Sequence, residues 1–152
     1  MKTIADLPCA CATARRAARA LTQLYDGRLR QSQIEASQYA LLSAIDRMNG
    51  ANQATIGRML ELDKTSLSRN LQWLKRKGWI ELSAADPSKN DGRERRFVLS
   101  AEGRQKLESA QPAWQAVQEQ LRSELSAAEW ETMWKVFRVV TQAAQRLRAL
   151  QH

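Results

Sequence analysis

The sequence predicts a mainly α (α+β) fold: a run of helices interrupted once by a two-stranded ribbon, with long helices at both ends. Three observations carry that expectation. Apolar residues recur at three- and four-residue steps over most of the 152 residues, the spacing of one buried helix face. One stretch breaks the pattern, with β-type runs at Trp79-Ile80-Glu81-Leu82 and Arg95-Arg96-Phe97-Val98-Leu99 around a turn-rich loop. The last third, residues 101–152, is apolar at helical spacing yet nearly neutral, with seven Lys and Arg against six Asp and Glu. That composition suits an interface between helices.

The first helix is expected from about Cys11 to Arg30, with Ala14, Ala17, Ala18, Leu21, Leu24, Tyr25 and Leu29 along its stripe. Its alanines let another helix approach closely. A second helix, about Glu35 to Met48, places Tyr39, Leu42, Ile45 and Met48 on one face. Asn49-Gly50 ends it, because glycine readily takes the left-handed conformation of a helix stop. Ala54–Leu60 is a short third helix expected to bury Ile56, Met59 and Leu60, with Glu61-Leu62 as the turn. Asp63 is an N-cap residue by type and place, opening a fourth helix that runs to Lys77. Leu67, Leu71 and Leu74 form its inward face. Gly78 stops it behind Lys75, Arg76 and Lys77, cations that complement the helix C-terminal dipole.

The segment Asp86-Pro87-Ser88-Lys89-Asn90-Asp91-Gly92 is dense in turn formers, so the two β-type runs read as a hairpin. Ser100 caps a fifth helix carrying Leu107, Ala110, Trp114, Val117 and Leu121, and Pro112 is expected to bend it. Ser126 and Glu129 have the spacing of a capping box. A last helix follows, with the stripe Trp130, Met133, Trp134, Phe137, Val140, Ala144 and Leu147. So aromatic a stripe has to be buried somewhere. Packing of the first and last helices against a second copy of the chain is the expectation, and packing within one subunit is the alternative. The organisation read from this order is an N-terminal helix at 1–34, a helix-and-hairpin unit at 35–100 and C-terminal helices at 101–152.

The formal net charge is +8, which favours a polyanionic partner, either nucleic acid or an anionic membrane surface. Residues 53–100 hold ten Lys and Arg against six Asp and Glu, the largest excess of the three parts. No run approaches the roughly 20 apolar residues of a membrane-spanning helix, and Met1–Pro8 lacks the pattern of a signal peptide. A cytoplasmic protein with no membrane partner is therefore expected. The one histidine is His152, and the two cysteines are Cys9 and Cys11. That removes most histidine-based acid–base, nucleophilic and zinc arrangements. No glycine-rich phosphate loop or metal-ligand spacing occurs, so no enzyme, cofactor or metal is expected.

Helix, helix, helix, hairpin is the order of a winged helix-turn-helix. With the three leucines inward, Lys64, Thr65, Ser66, Ser68, Arg69 and Gln72 are expected to face out. Arg can bond a guanine edge with two hydrogen bonds, Gln can bond adenine, and hydroxyls serve bases or phosphates. Lys75, Arg76 and Lys77 fit phosphate neutralisation better. In the hairpin, Lys89, Arg93, Arg95 and Arg96 form a basic wing able to reach a minor groove or the flanking phosphates. Asp91 is expected to position its basic neighbours, since phosphate repels a carboxylate.

Several spaced segments are similar to one family of bacterial regulators. They are Gln53-Ala54-Thr55-Ile56-Gly57-Arg58-Met59-Leu60, Asp63-Lys64-Thr65-Ser66-Leu67-Ser68-Arg69, and Leu74-Lys75-Arg76-Lys77-Gly78-Trp79-Ile80. Asp91-Gly92-Arg93, then Phe97-Val98-Leu99-Ser100 and Gly103, complete the set. Together they resemble the MarR family, over nearly the whole chain. The resemblance implies a homodimer with interlocked first and last helices, recognition helices in successive major grooves, and wings in adjacent minor grooves. It implies that Thr65, Ser66, Ser68 and Arg69 read bases or phosphates, that Arg93 is the wing arginine, and that repression is the sign of regulation. Gly57 stands where the family usually has Ala, which is expected to loosen the third helix. Ser100 stands for the commoner Thr and keeps the cap. A dimer implies a near-palindromic operator in double-stranded DNA, with half-sites on the order of 10 base pairs apart.

Two signals are open at the level of sequence. Cys9 and Cys11 lie where the first helix begins, near Arg15, Arg16 and Arg19, and cations beside a helix N-terminus raise thiol reactivity. They are candidate sensors of oxidants, electrophiles or a soft metal. An internal disulfide two residues apart would be strained. The other signal is a small aromatic acid, the ligand class the resemblance implies, with Arg16, Tyr39 and Trp114 as candidate pocket residues. The rival to the whole reading is a winged helix that binds proteins instead of specific DNA.

Overall fold

The computed structural model describes residues 9–83 and 95–151. Within them the chain forms α1 (Ala10–Leu29), a 3-10 turn (Arg30–Ser32), α2 (Ala36–Arg47), α3 (Gln53–Leu60), α4 (Lys64–Arg76), β1 (Ile80–Ser83), β2 (Arg96–Leu99), α5 (Ala101–Ser123) and α6 (Ala127–Ala149). The predicted mainly α architecture is the observed one, and element ends differ from expectation by one or two residues. The described residues divide after Trp114, inside α5, into two compact units.

The first unit is built around α2, with Leu41, Leu42, Ala44 and Ile45 all buried. Helix α2 packs on α1, α3 and β2, while α4 packs on α3 and β1. Leu29, Ile34, Ile56, Leu67, Leu71, Leu74, Ile80 and Leu99 complete the core. Each fully buried leucine contributes roughly 1.5–3 kcal/mol through removal of apolar surface from water. Asn49 at φ 48° and Gly50 at φ 92° make the left-handed stop of α2. A side chain on Gly50 would meet Val98 Cγ1 at 2.9 Å, so glycine is required there for space as well as conformation.

β1 and β2 pair antiparallel, from Ile80 opposite Leu99 to Ser83 opposite Arg96. The sequence did not announce a third contributor to this ribbon. Ala51 bridges Phe97: the Ala51 N–H donates to the Phe97 carbonyl at 3.1 Å, and the Ala51 carbonyl accepts from the Phe97 N–H at 2.9 Å. One bridging residue has no period for a sequence pattern to show. Met59 is a correction: it was expected inside, and it is 52% exposed on α3. In a helix of eight residues Ile56 alone is buried. Helix α5 runs through Pro112 without ending.

In the second unit Ser126 and Glu129 form the expected capping box. Trp130 meets Trp134 edge to face at 5.6 Å, and the Arg122 guanidinium lies 5.5 Å from the Trp130 ring centre. Much of the α6 stripe is open to solvent within one chain: Trp134, Phe137, Val140 and Leu147 are 45–63% exposed.

Candidate nucleic-acid interface

The helix-turn-helix is held at each end by caps. Asn52 Oδ1 accepts from the Thr55 N–H at 2.8 Å to open α3, and Asp63 Oδ1 accepts from the Ser66 N–H at 2.8 Å to open α4. Hydrogen bonds from Ser66 hold the Asp63 carboxyl below its ordinary range. Between the helices Glu61 takes φ 51°, and the Leu62 N–H donates to the Gly57 carbonyl at 3.0 Å. A side chain on Gly57 would come within 3.2 Å of Leu67 Cδ2. The absence of a side chain at Gly57 lets Leu67 of α4 press close to α3.

Leu67, Leu71 and Leu74 face the core as expected. At 100° per residue, the row opposite them is Thr65, Arg69, Gln72 and Arg76, and all four are exposed. Lys64 and Lys75 are also exposed, and by angle they flank the leucine stripe. One expectation needs correction. Ser66 and Ser68, predicted to face out, are half-buried because each lies on a flank of the leucine stripe. Lys77, grouped with Lys75 and Arg76 as a phosphate contact by sequence, is exposed at the C-cap of α4, with its ammonium 5.4 Å from the Trp73 ring centre. Arg76, grouped with the phosphate contacts, falls in line with Arg69.

After α4 the Gly78 N–H donates to the Lys75 carbonyl and the Trp79 N–H to Leu74, both at 3.0 Å, with Gly78 at φ 74°. Ser100 Oγ donates to the Gly78 carbonyl and accepts from the Gly103 N–H at 3.0 Å. Ser100 thus caps α5 and ties it to the α4–β1 turn. Arg95 and Arg96 are exposed at the start of β2. Lys89, Asp91 and Arg93 lie outside the described residues.

The candidate signal residues are not gathered into one site. Cys9 and Cys11 are free and exposed, and Cys9 Sγ is the N-cap of α1, accepting from the Ala12 N–H at 3.5 Å. Tyr39 and Trp114 do meet: their rings stack at 5.7 Å and 19°. Tyr39 is 8% exposed, and burial pushes its phenol up from its ordinary range. Arg16 is half-buried in α1. Sequence reasoning missed Trp73, which meets Trp79 edge to face at 5.4 Å. The i, i+4 spacing of Trp73 and Lys77 was the available signal.

A family model described as MarR family matches residues 32–94. MosR of M. tuberculosis, a transcriptional regulator solved in complex with DNA, is 32% identical over 92% of this chain and 98% of its own, with a TM-score of 0.79. The chain belongs to the MarR family. It is therefore a transcriptional regulator by descent and not an enzyme. PcaV from Streptomyces coelicolor, a regulator solved with its natural ligand, is 25% identical over 95% of this chain and 98% of its own, at a TM-score of 0.78. A mutant MarR from E. coli complexed with operator DNA is 22% identical over 92% and 99%, at 0.77, and shows likeness of fold alone. No curated protein sequence matches the chain. Among the described residues no helix is long and apolar enough to cross a membrane.

Proposed function

We propose that this MarR-family protein is a homodimeric repressor that reads a near-palindromic operator in double-stranded DNA. The observation that carries it is the exposed row Thr65, Arg69, Gln72 and Arg76 on a capped helix whose opposite face is buried leucine. Arg69 and Gln72 offer the bonding patterns that distinguish bases, with Thr65 and the half-buried Ser66 and Ser68 beside them. Lys64, Lys75, Lys77 and the wing cations Lys89, Arg93 and Arg95 neutralise phosphates. The similarity to MosR, solved with DNA, supports this reading.

The apolar, exposed α6 supports dimerisation through residues 1–34 and 101–152, which would set the spacing of two reading units around 35–100. The signal we favour acts on Cys9 and Cys11, because both thiols are exposed and Cys9 Sγ caps α1, so oxidation would change the chemistry of that cap. The stacked, closed Tyr39–Trp114 pair leaves little room between those rings for an aromatic acid. The test is to select binding sites from random duplexes, then titrate peroxide against the complex. Recovery of a two-fold-related site released by peroxide in wild type but not in Cys9→Ser/Cys11→Ser is the expected result. Retention of no duplex at low salt would overturn the reading in favour of a protein-binding winged helix.

A further inference from the structure

A cleft of about 640 Å³ lies beside the last turn of α4, among the end of α1, the start of α2 and the first turns of α5. Its volume is within the usual range for small-molecule sites, about 300–1,000 Å³. Trp73, Trp79 and Ile34 give it apolar walls, and Arg30, Lys77 and Lys106 bring three cations from three separate elements. Two carboxylates also line it, and both are turned to the backbone. Asp26 Oδ1 accepts from the Ala36 N–H at 2.7 Å, and Glu35 closes the capping box of α2 with Gln38.

The cations keep unused donors. Lys77 Nζ lies 5.4 Å from the Trp73 ring centre and Lys106 Nζ 5.2 Å from that of Trp79. Lys106 gives one hydrogen bond, to the Ser32 carbonyl at 3.0 Å, and an ammonium has three to give. The exposed Arg30 side chain forms no ion pair among the described residues. A carboxylate presents two oxygens in one plane. A phosphate presents three terminal oxygens in three directions, with close to two negative charges at neutral pH, which fits cations arriving from three sides.

We propose that this cleft binds a phosphate monoester with a flat apolar body, its phosphate among Arg30, Lys77 and Lys106 and its body against Trp73 and Trp79. Because Lys77 also stands at the basic end of the reading helix, among the cations proposed to contact DNA phosphate, the occupant competes with DNA for that ammonium. This second part rests on the DNA-binding reading above; the first does not.

Phenyl phosphate, benzoate and inorganic phosphate are titrated by calorimetry into the full chain without DNA, at matched ionic strength. Saturable phenyl phosphate binding, at least about tenfold tighter than either other probe and weakened about tenfold by the exposed-site variant Arg30→Gln and by Lys106→Gln, is expected. Absence of saturable binding, equal binding of benzoate, equal binding of inorganic phosphate, or unchanged binding in Arg30→Gln would each overturn the site. DNA affinity is then followed by fluorescence anisotropy. Phenyl phosphate should weaken it severalfold in wild type and leave Lys77→Gln unaffected. Unchanged wild-type affinity would overturn the competition. A chain that retains no duplex would overturn the competition together with the DNA-binding reading, while calorimetry alone still decides the cleft.

Discussion

Gly103 and Trp79 meet backbone to backbone: a side chain on Gly103 would collide with the Trp79 carbonyl oxygen. The Ser100 N–H donates to that same oxygen at 3.1 Å, so the start of α5 is fastened to the exit from the reading helix. Backbone cannot rotate away as a side chain can. Gly103→Ala should therefore destabilise the protein by about 3 kcal/mol, the upper end of typical overpacking costs.

Gly78 makes the useful contrast. It has φ 74° with nothing within 4 Å of an added side chain, so only conformation opposes substitution. Gly78→Ala should cost about 1–2 kcal/mol, the penalty of the left-handed region for an L-residue. Urea midpoints of the two variants check the pair, and equal losses would contradict the distinction drawn between collision and conformation.

Acid should loosen α4 at its N-terminus. The Asp63 carboxyl sits below its ordinary value of 3.8 because Ser66 donates to it. A lowered folded value means that its stabilisation is complete above that ordinary value and is lost as pH falls through the folded one. Asp63→Asn keeps a cap oxygen but no titration. The stability advantage of wild type over Asp63→Asn, followed by urea unfolding from pH 6 to pH 3, should hold steady and then shrink at the acid end.

Most of the fold was legible because its elements are long and periodic, and the cap and stop residues Asp63, Gly50, Gly78 and Ser126 each have a local mechanism. The reading face was legible only in part. Listing outward residues put Ser66 and Ser68 with Arg69, whereas the angle around the helix places Arg76 in that row and sets both serines on its flanks. The contact of Lys77 with Trp73, one turn back, was not drawn from the sequence, where its basic neighbours draw the eye instead. Met59 failed because a helix of two turns buries too narrow a stripe for three apolar residues. The Ala51 bridge and the cleft between Arg30, Lys77 and Lys106 depend on tertiary contacts that no local pattern encodes.

Lys75 is exposed but lies off the reading row, on the flank of the leucine stripe. Lys75→Ala should weaken selected and random duplexes alike, and should lower the dependence of log affinity on log salt by about one unit. Anisotropy titrations between 50 and 200 mM salt, about the range over which such contacts are lost, check this.

The exposed stripe of α6 calls for a partner. Phe137→Asp should convert a dimer to a monomer in analytical ultracentrifugation while the circular dichroism of the first unit persists. A wild-type chain that is monomeric at micromolar concentration would remove α6 as the dimer surface.

The most direct measurement of the central claim is the affinity ratio between the selected operator and a random duplex, taken for wild type and Arg69→Ala at one salt concentration. If Arg69 reads a base, the ratio falls about tenfold or more, the scale of one lost bidentate contact at 1–3 kcal/mol. An unchanged ratio with the same footprint would contradict the reading of DNA by this face of α4.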